Sequence, residues 1–226
     1  MTSSRLRALG SEILAFVLAA VCPGCGSPET TLCAACRQSL HATPVELTTP
    51  GGLVVHAALS FDSVAARCIR RLKDGGETML ARPLGIALAA AIDAALEPGG
   101  GRPQTVVPVP TSRAAFRRRG YRVPELLIRH AGAVPRRVLL QRARGDQRGL
   151  AAAERVSNVR GTMRVRRPDE GRRVVLVDDV MTTGATLDEA AAVLRRAGYI
   201  VIAAAVLAAT PRHSERIVNT SGTRSK

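Results

Sequence analysis

Val174, Val175, Leu176 and Val177 run without a break into Asp178, Asp179, Val180, Met181, Thr182, Thr183, Gly184, Ala185 and Thr186. Four consecutive apolar residues, three of them β-branched, have no polar face. They suit a strand covered on both sides, as in a parallel sheet. Such a strand fixes whatever follows it, so Asp178 and Asp179 are expected at the sheet's carboxyl edge, where their oxygens can accept hydrogen bonds from vicinal hydroxyls such as a ribose 2′,3′-diol. Thr182, Thr183, Gly184, Ala185 and Thr186 then offer backbone N–H groups and hydroxyls around a helix N-terminus, a setting that favours an anion such as a 5′-phosphate. Gly184 lets the backbone approach that anion closely. Read alone, the same residues also fit a capped helix after a strand, with the acids facing solvent or Mg²⁺.

The rest of the chain repeats the alternation. Leu53–Phe61, Thr105–Val109 and Ile200–Ala208 read as strands, and Val64–Lys73, Ala81–Leu96, about Ser112–Ala131 and Thr186–Ala197 as helices. Strand, helix, strand repeats predict an α/β fold with a parallel central sheet flanked by helices, right-handed crossovers, and a ligand at the carboxyl ends of the strands. This main domain is expected over 51–226, with a polar tail from about Pro211. Residues 1–50 would form an N-terminal helix and a cysteine module, joined to it by a Thr- and Pro-rich linker, His41–Gly52.

Hydrophobic residues make up 46% of the chain and aromatic ones 2%, with no Trp, so the core must be aliphatic; the composition excludes a disordered chain. The formal charge is +15. Two of the 33 basic residues are lysines, Lys73 and Lys226, leaving 31 arginines, dense at Arg117–Arg119, Arg136–Arg137, Arg142–Arg148 and Arg164–Arg173. Such a field gathers phosphorylated ligands or nucleic acid alike. With five aromatic side chains in all, stacking on bases would be sparse.

Cys22-Pro-Gly-Cys25 and Cys33-Ala-Ala-Cys36 form a C-x₂-C-x₇-C-x₂-C pattern. Each pair can turn both sulfurs toward one tetrahedral ion, and four thiol ligands leave no open position for catalysis, so the spacing predicts a structural Zn²⁺ site of ribbon or finger type. Iron–sulfur ligation and a redox pair are the alternatives. Reduced cysteines of this kind suit the cytoplasm. Ser4–Val21 reads as an amphipathic helix that packs on its own domain or makes a weak membrane-surface or partner contact. Its apolar stretch, Ile13–Val21, is too short to span a bilayer.

The string from Val174 to Thr186 is similar to the 5-phosphoribosyl-1-pyrophosphate signature of type I phosphoribosyltransferases. More narrowly, the chain resembles the ComF family of bacterial proteins linked with competence and DNA uptake. The resemblance spans about Ile13–Ala209. It rests on the four cysteines, Ile69-Arg-Arg-Leu-Lys73, Val107-Pro-Val-Pro110, Arg119-Gly-Tyr121, Asp146-Gln-Arg-Gly-Leu150, Arg155 with Asn158, and the Asp178–Thr186 loop. It implies 5-phosphoribosyl-1-pyrophosphate with Mg²⁺ on Asp178–Thr186, the pyrophosphate facing Thr111, Ser112 and Arg113, and a catalytic loop over Arg142–Asn158 with Arg144, Arg148 and Arg155 as candidate cations. Lys73, before Gly75-Gly76, either reaches the pyrophosphate or caps its helix. Where the family tends to have Asn-Gln after Arg-Gly-Tyr, this chain has Arg122-Val123. Two functions fit: a phosphoribosyl transferase, or a non-catalytic sensor of the same ligand that docks single-stranded DNA or a DNA-uptake partner.

Overall fold

The computed structural model describes residues 20–28, 30–96, 104–141, 161 and 163–210. Most of the expected N-terminal helix, the tail from Pro211, and Arg144, Arg148 and Arg155 lie outside these residues. In chain order the elements are α1 (Ala34–Ser39), β1 (Val45–Thr48), β2 (Val54–Ser60), α2 (Ser63–Asp74), a 3₁₀ turn (Thr78–Leu80) and α3 (Ala81–Ala95). There follow β3 (Thr105–Pro108), α4 (Arg113–Arg119), α5 (Val123–His130), β4 (Leu139–Gln141), β5 (Met163–Val165), β6 (Arg173–Met181), α6 (Ala185–Arg196) and β7 (Ile200–Ala209).

Five strands form one sheet in the order β1-β2-β7-β6-β3, with β2, β7, β6 and β3 parallel and β1 antiparallel at the edge. The apolar run explains the centre. Val174 to Val177 of β6 are all fully buried, and alternate residues serve opposite layers, Val175 and Val177 on one side and Val174 and Leu176 on the other. The first layer holds α3 and α5, where Leu84, Leu88, Leu127 and Ile128 are fully buried; the second holds α6, with Leu187 and Leu194. Each such aliphatic side chain stabilises the fold by about 1.5–3 kcal/mol relative to exposure. Cys22, Leu32, Cys36 and Leu40 belong to the first layer too, so the cysteine module and the sheet share a core.

The structure departs from expectation at three places. His41–Gly52 is not a bare linker: it contains β1, whose Val45 to Thr48 pair with Ala57 to Val54, so position 50 falls in a hairpin turn. The single helix expected from Ser112 to Ala131 is two. Gly120, at φ 79°, ends α4 with its N–H on the Phe116 carbonyl at 2.8 Å, and α5 restarts at Val123. β4 and β5 form a separate two-stranded antiparallel sheet. Thr78–Ala95 is long and apolar enough to cross a membrane, with a mean hydropathy of 1.3, but α3 packs one side against β2, β7 and α5 as a core helix.

Candidate functional site at the carboxyl edge of the sheet

β6 is longer than its apolar run and carries both carboxylates within its ladder. Asp178 pairs with Val206 of β7 in register. On the other side Pro108 pairs with Val177, and the Val109 N–H donates to the Val177 carbonyl at 2.8 Å. The turn that continues through Pro110 and Thr111 therefore leaves the sheet beside the two acids.

The acids are held differently. Asp178 is half-buried, and its Oδ1 accepts the Asp179 N–H at 2.8 Å. Asp179 is buried, and its Oδ1 receives Lys73 Nζ at 2.7 Å. Lys73 stands in the last turn of α2. Lys73 is paired with a site carboxylate 106 residues away. The chain between them is fixed as well. The Tyr121 hydroxyl donates to the Leu72 carbonyl, and Arg119 meets Asp74 at 3.6 Å, so the Arg119-Gly120-Tyr121 segment braces the end of α2 that presents Lys73. Arg122, which stands where the family tends to have Asn, lies over the Phe116 ring at 4.0 Å.

Burial, and then the charge of Asp179, push the Asp178 carboxyl up to about 8; the Asp179 N–H and Lys73 act in the opposite direction. A carboxyl raised by burial and a specific charge partner marks a candidate functional group.

Beyond β6, Thr182, Thr183 and Ala185 are exposed and Gly184 is buried in the left-handed conformation at φ 83°. Thr210, just past β7, holds the start of this loop: its N–H donates to the Met181 carbonyl at 3.0 Å and its hydroxyl to the Thr182 carbonyl at 3.3 Å. Thr183 Oγ1 accepts from the Ala185 N–H at 3.4 Å. The loop is thus an exposed cradle at the N-terminus of α6, a helix long enough for its end to attract an anion. Across β3, Ser112 caps α4 by accepting the Ala115 N–H at 3.1 Å, while Thr111 and Arg113 line a cavity of about 230 Å³ with Arg122, Arg137, Arg164 and Arg166.

The sulfurs of Cys22, Cys25, Cys33 and Cys36 lie within 4.8 Å of one another, with Cys25 and Cys33 at 3.6 Å. Tetrahedral sulfur around zinc at about 2.3 Å places sulfurs about 3.8 Å apart, so the donor set fits a metal. Backbone N–H groups of Cys33 and Cys36 donate to the sulfurs of Cys22 and Cys33, each at 3.4 Å, as thiolates require. Burial first, then the neighbouring thiols, drive the Cys36 thiol upward, an effect that a bound cation would reverse. Gly24 is needed there: a Cβ would sit 2.5 Å from Cys36 Sγ.

Sequence reasoning missed Thr49, Asp188 and Thr210. Thr49 and Asp188, 139 positions apart, are joined by a hydrogen bond beside the loop, and no local pattern announces such a pair.

Comparison with known proteins matches the phosphoribosyl transferase domain to residues 85–221. The chain is 30% identical over 189 residues to the DNA utilization protein YhgH of Escherichia coli, covering 80% of this chain and 81% of that one. It is 34% identical over 105 residues to competence protein F of Haemophilus influenzae, covering 42% and 46%. A stretch of 37 residues is 60% identical to adenine phosphoribosyltransferase of Mycobacterium avium, 16% of this chain and 21% of that one.

Proposed function

The chain belongs to the ComF family of phosphoribosyltransferase-domain proteins, and on that premise we propose that it binds 5-phosphoribosyl-1-pyrophosphate, as its magnesium complex, between Asp178 and Thr186. The observation that carries this reading is the pair of carboxylates at the carboxyl end of the central strand, followed at once by an exposed Thr-Gly cradle on a helix N-terminus. Asp178 and Asp179 accept from the ribose hydroxyls, and Thr182 to Thr186 donate to the 5′-phosphate. Thr111, Ser112 and Arg113 face the pyrophosphate, where the arginine offers a fork of donors to departing charge.

The reaction that fits is displacement of pyrophosphate at C1 of the ribose by an incoming nucleophile, driven by positioning and electrostatic stabilisation. Lys73 Nζ, 2.7 Å from Asp179 Oδ1, holds that side chain in place before the ligand arrives. Arg144 and Arg155 remain candidates for closing over the pyrophosphate. The four cysteines hold a structural Zn²⁺, which cross-links the two knuckles and neutralises their thiolates in the reducing cytoplasm. The names of the relatives, a DNA utilization protein and a competence protein, support a role in DNA utilization.

Calorimetric titration of the wild type and of the Asp178→Asn/Asp179→Asn variant with the magnesium complex tests the site. Each charged hydrogen bond lost costs roughly 1.5–3 kcal/mol, so the variant should bind at least about tenfold more weakly. Equal affinity would move the ligand elsewhere. Release of pyrophosphate above background in the same mixture would mark a transferase, and binding without release a sensor.

A further inference from the structure

The turn between β1 and β2 lies far from the phosphate cradle in sequence and against it in space. Thr49 is buried, its hydroxyl donates to Asp188 Oδ1, and the Gly51 N–H donates to Asp188 Oδ2 at 2.9 Å. The same Thr49 Oγ1 accepts the Leu53 N–H at 3.0 Å, which closes the turn on itself. Asp188 is in the first turn of α6. A carboxylate there ordinarily serves its own helix's free N–H groups; here both oxygens bond to a turn more than a hundred residues earlier. The turn touches the cradle directly as well. Gly184 has no room for a side chain because a Cβ would lie 2.9 Å from Thr49 Cγ2, and Pro50 Cδ is 3.4 Å from the same point.

We infer that Thr49 and Asp188 are positioning residues that lock the 182–186 loop in its anion-binding shape through the β1–β2 turn. The inference rests on the phosphoribosyl reading for the identity of the anion. Without the hydroxyl–carboxylate latch the β1–β2 turn, Pro50 included, is no longer tied to α6 beside Gly184, and a carboxylate near the helix N-terminus, released from its two donors, opposes an incoming phosphate.

Ribose 5-phosphate is the probe, because it carries the cradle's anion without pyrophosphate. Thr49→Val keeps the packing and removes the hydroxyl; Thr49→Ser keeps the hydroxyl and removes the methyl; Asp188→Asn keeps the shape and removes one acceptor. Affinity for the probe should fall about tenfold in Thr49→Val and Asp188→Asn, as expected for an unpaired buried polar group, and stay near wild type in Thr49→Ser. Amide exchange at Gly184 to Leu187 should quicken in the two weakened variants, a readout that needs no ligand. Wild-type affinity in Thr49→Val and Asp188→Asn overturns the latch alone, as does equal loss in Thr49→Ser and Thr49→Val. A wild type that binds neither the probe nor 5-phosphoribosyl-1-pyrophosphate overturns the phosphoribosyl reading, and the latch's role falls with it.

Discussion

Asp178 is where a single residue sets stability against use. Its carboxyl is raised from 3.8 to about 8, so the folded protein holds a proton there that the unfolded chain has released. Stability therefore falls as pH rises from about 4 through about 8, because the folded state then gives up a proton it binds more tightly. Asp178→Asn should remove that slope and raise the melting temperature at pH 8.5 while leaving it nearly unchanged at pH 4, with about 2–4 °C gained for each kcal/mol relieved. Scanning fluorimetry at the two pH values checks it, and a variant no more stable than wild type at pH 8.5 contradicts the assignment. The same substitution weakens the proposed ligand, a cost expected at functional sites. The identities of Asp178, Asp179 and the threonines were legible because they are contiguous. Their electrostatic setting was not, because Lys73 arrives from α2, 106 residues away.

At the level of elements, α3 and α5 meet through a glycine. A Cβ on Gly85 would stand 2.4 Å from His130 Cβ and 2.8 Å from the His130 carbonyl carbon, so the two helices cannot keep their spacing around any larger residue. Gly85→Ala should destabilise the fold by about 1–3 kcal/mol, read as a lower urea midpoint with an unchanged slope. The elements that could be read from sequence were those with a long period or a continuous apolar or β-branched run: β2, β3, β6, β7, α2, α3 and α6. β1 escaped because its alternation of Val45 and Leu47 with Glu46 and Thr48 lasts only four residues inside a Thr- and Pro-rich stretch, and β4 and β5 because three residues cannot establish a period. The break between α4 and α5 had a signal in Arg119-Gly120-Tyr121, which helical periodicity on both sides concealed. Adjacent acids on α6 serve two distant segments: Asp188 holds the β1–β2 turn, and the buried Glu189 accepts the Gly161 N–H at 2.7 Å, just before β5.

For the whole molecule, the shared core decides how the parts melt. Cys22 and Cys36 pack in the layer that contains Leu84 and Leu88, so the cysteine module is continuous with the sheet domain and not a detachable bead. A metal that binds only the folded state stabilises all of it; at a hundred times its dissociation constant the gain is about 2.7 kcal/mol. Adding a chelator should lower the melting temperature of the entire protein in one transition by about 5–10 °C, a shift reversed by Zn²⁺. Two separated transitions in calorimetry would mean that the module unfolds alone. Lysine is scarce across the same molecule: besides Lys226 near the carboxyl terminus, Lys73 is its one side-chain amine, and its side chain keeps 24% of its exposure beside Asp179. Amine-directed chemistry, whether a laboratory acylating reagent or an enzyme that modifies lysines, thus has a single internal target, and the rate at which Lys73 is acylated reports directly on whether its partner carboxylate is engaged.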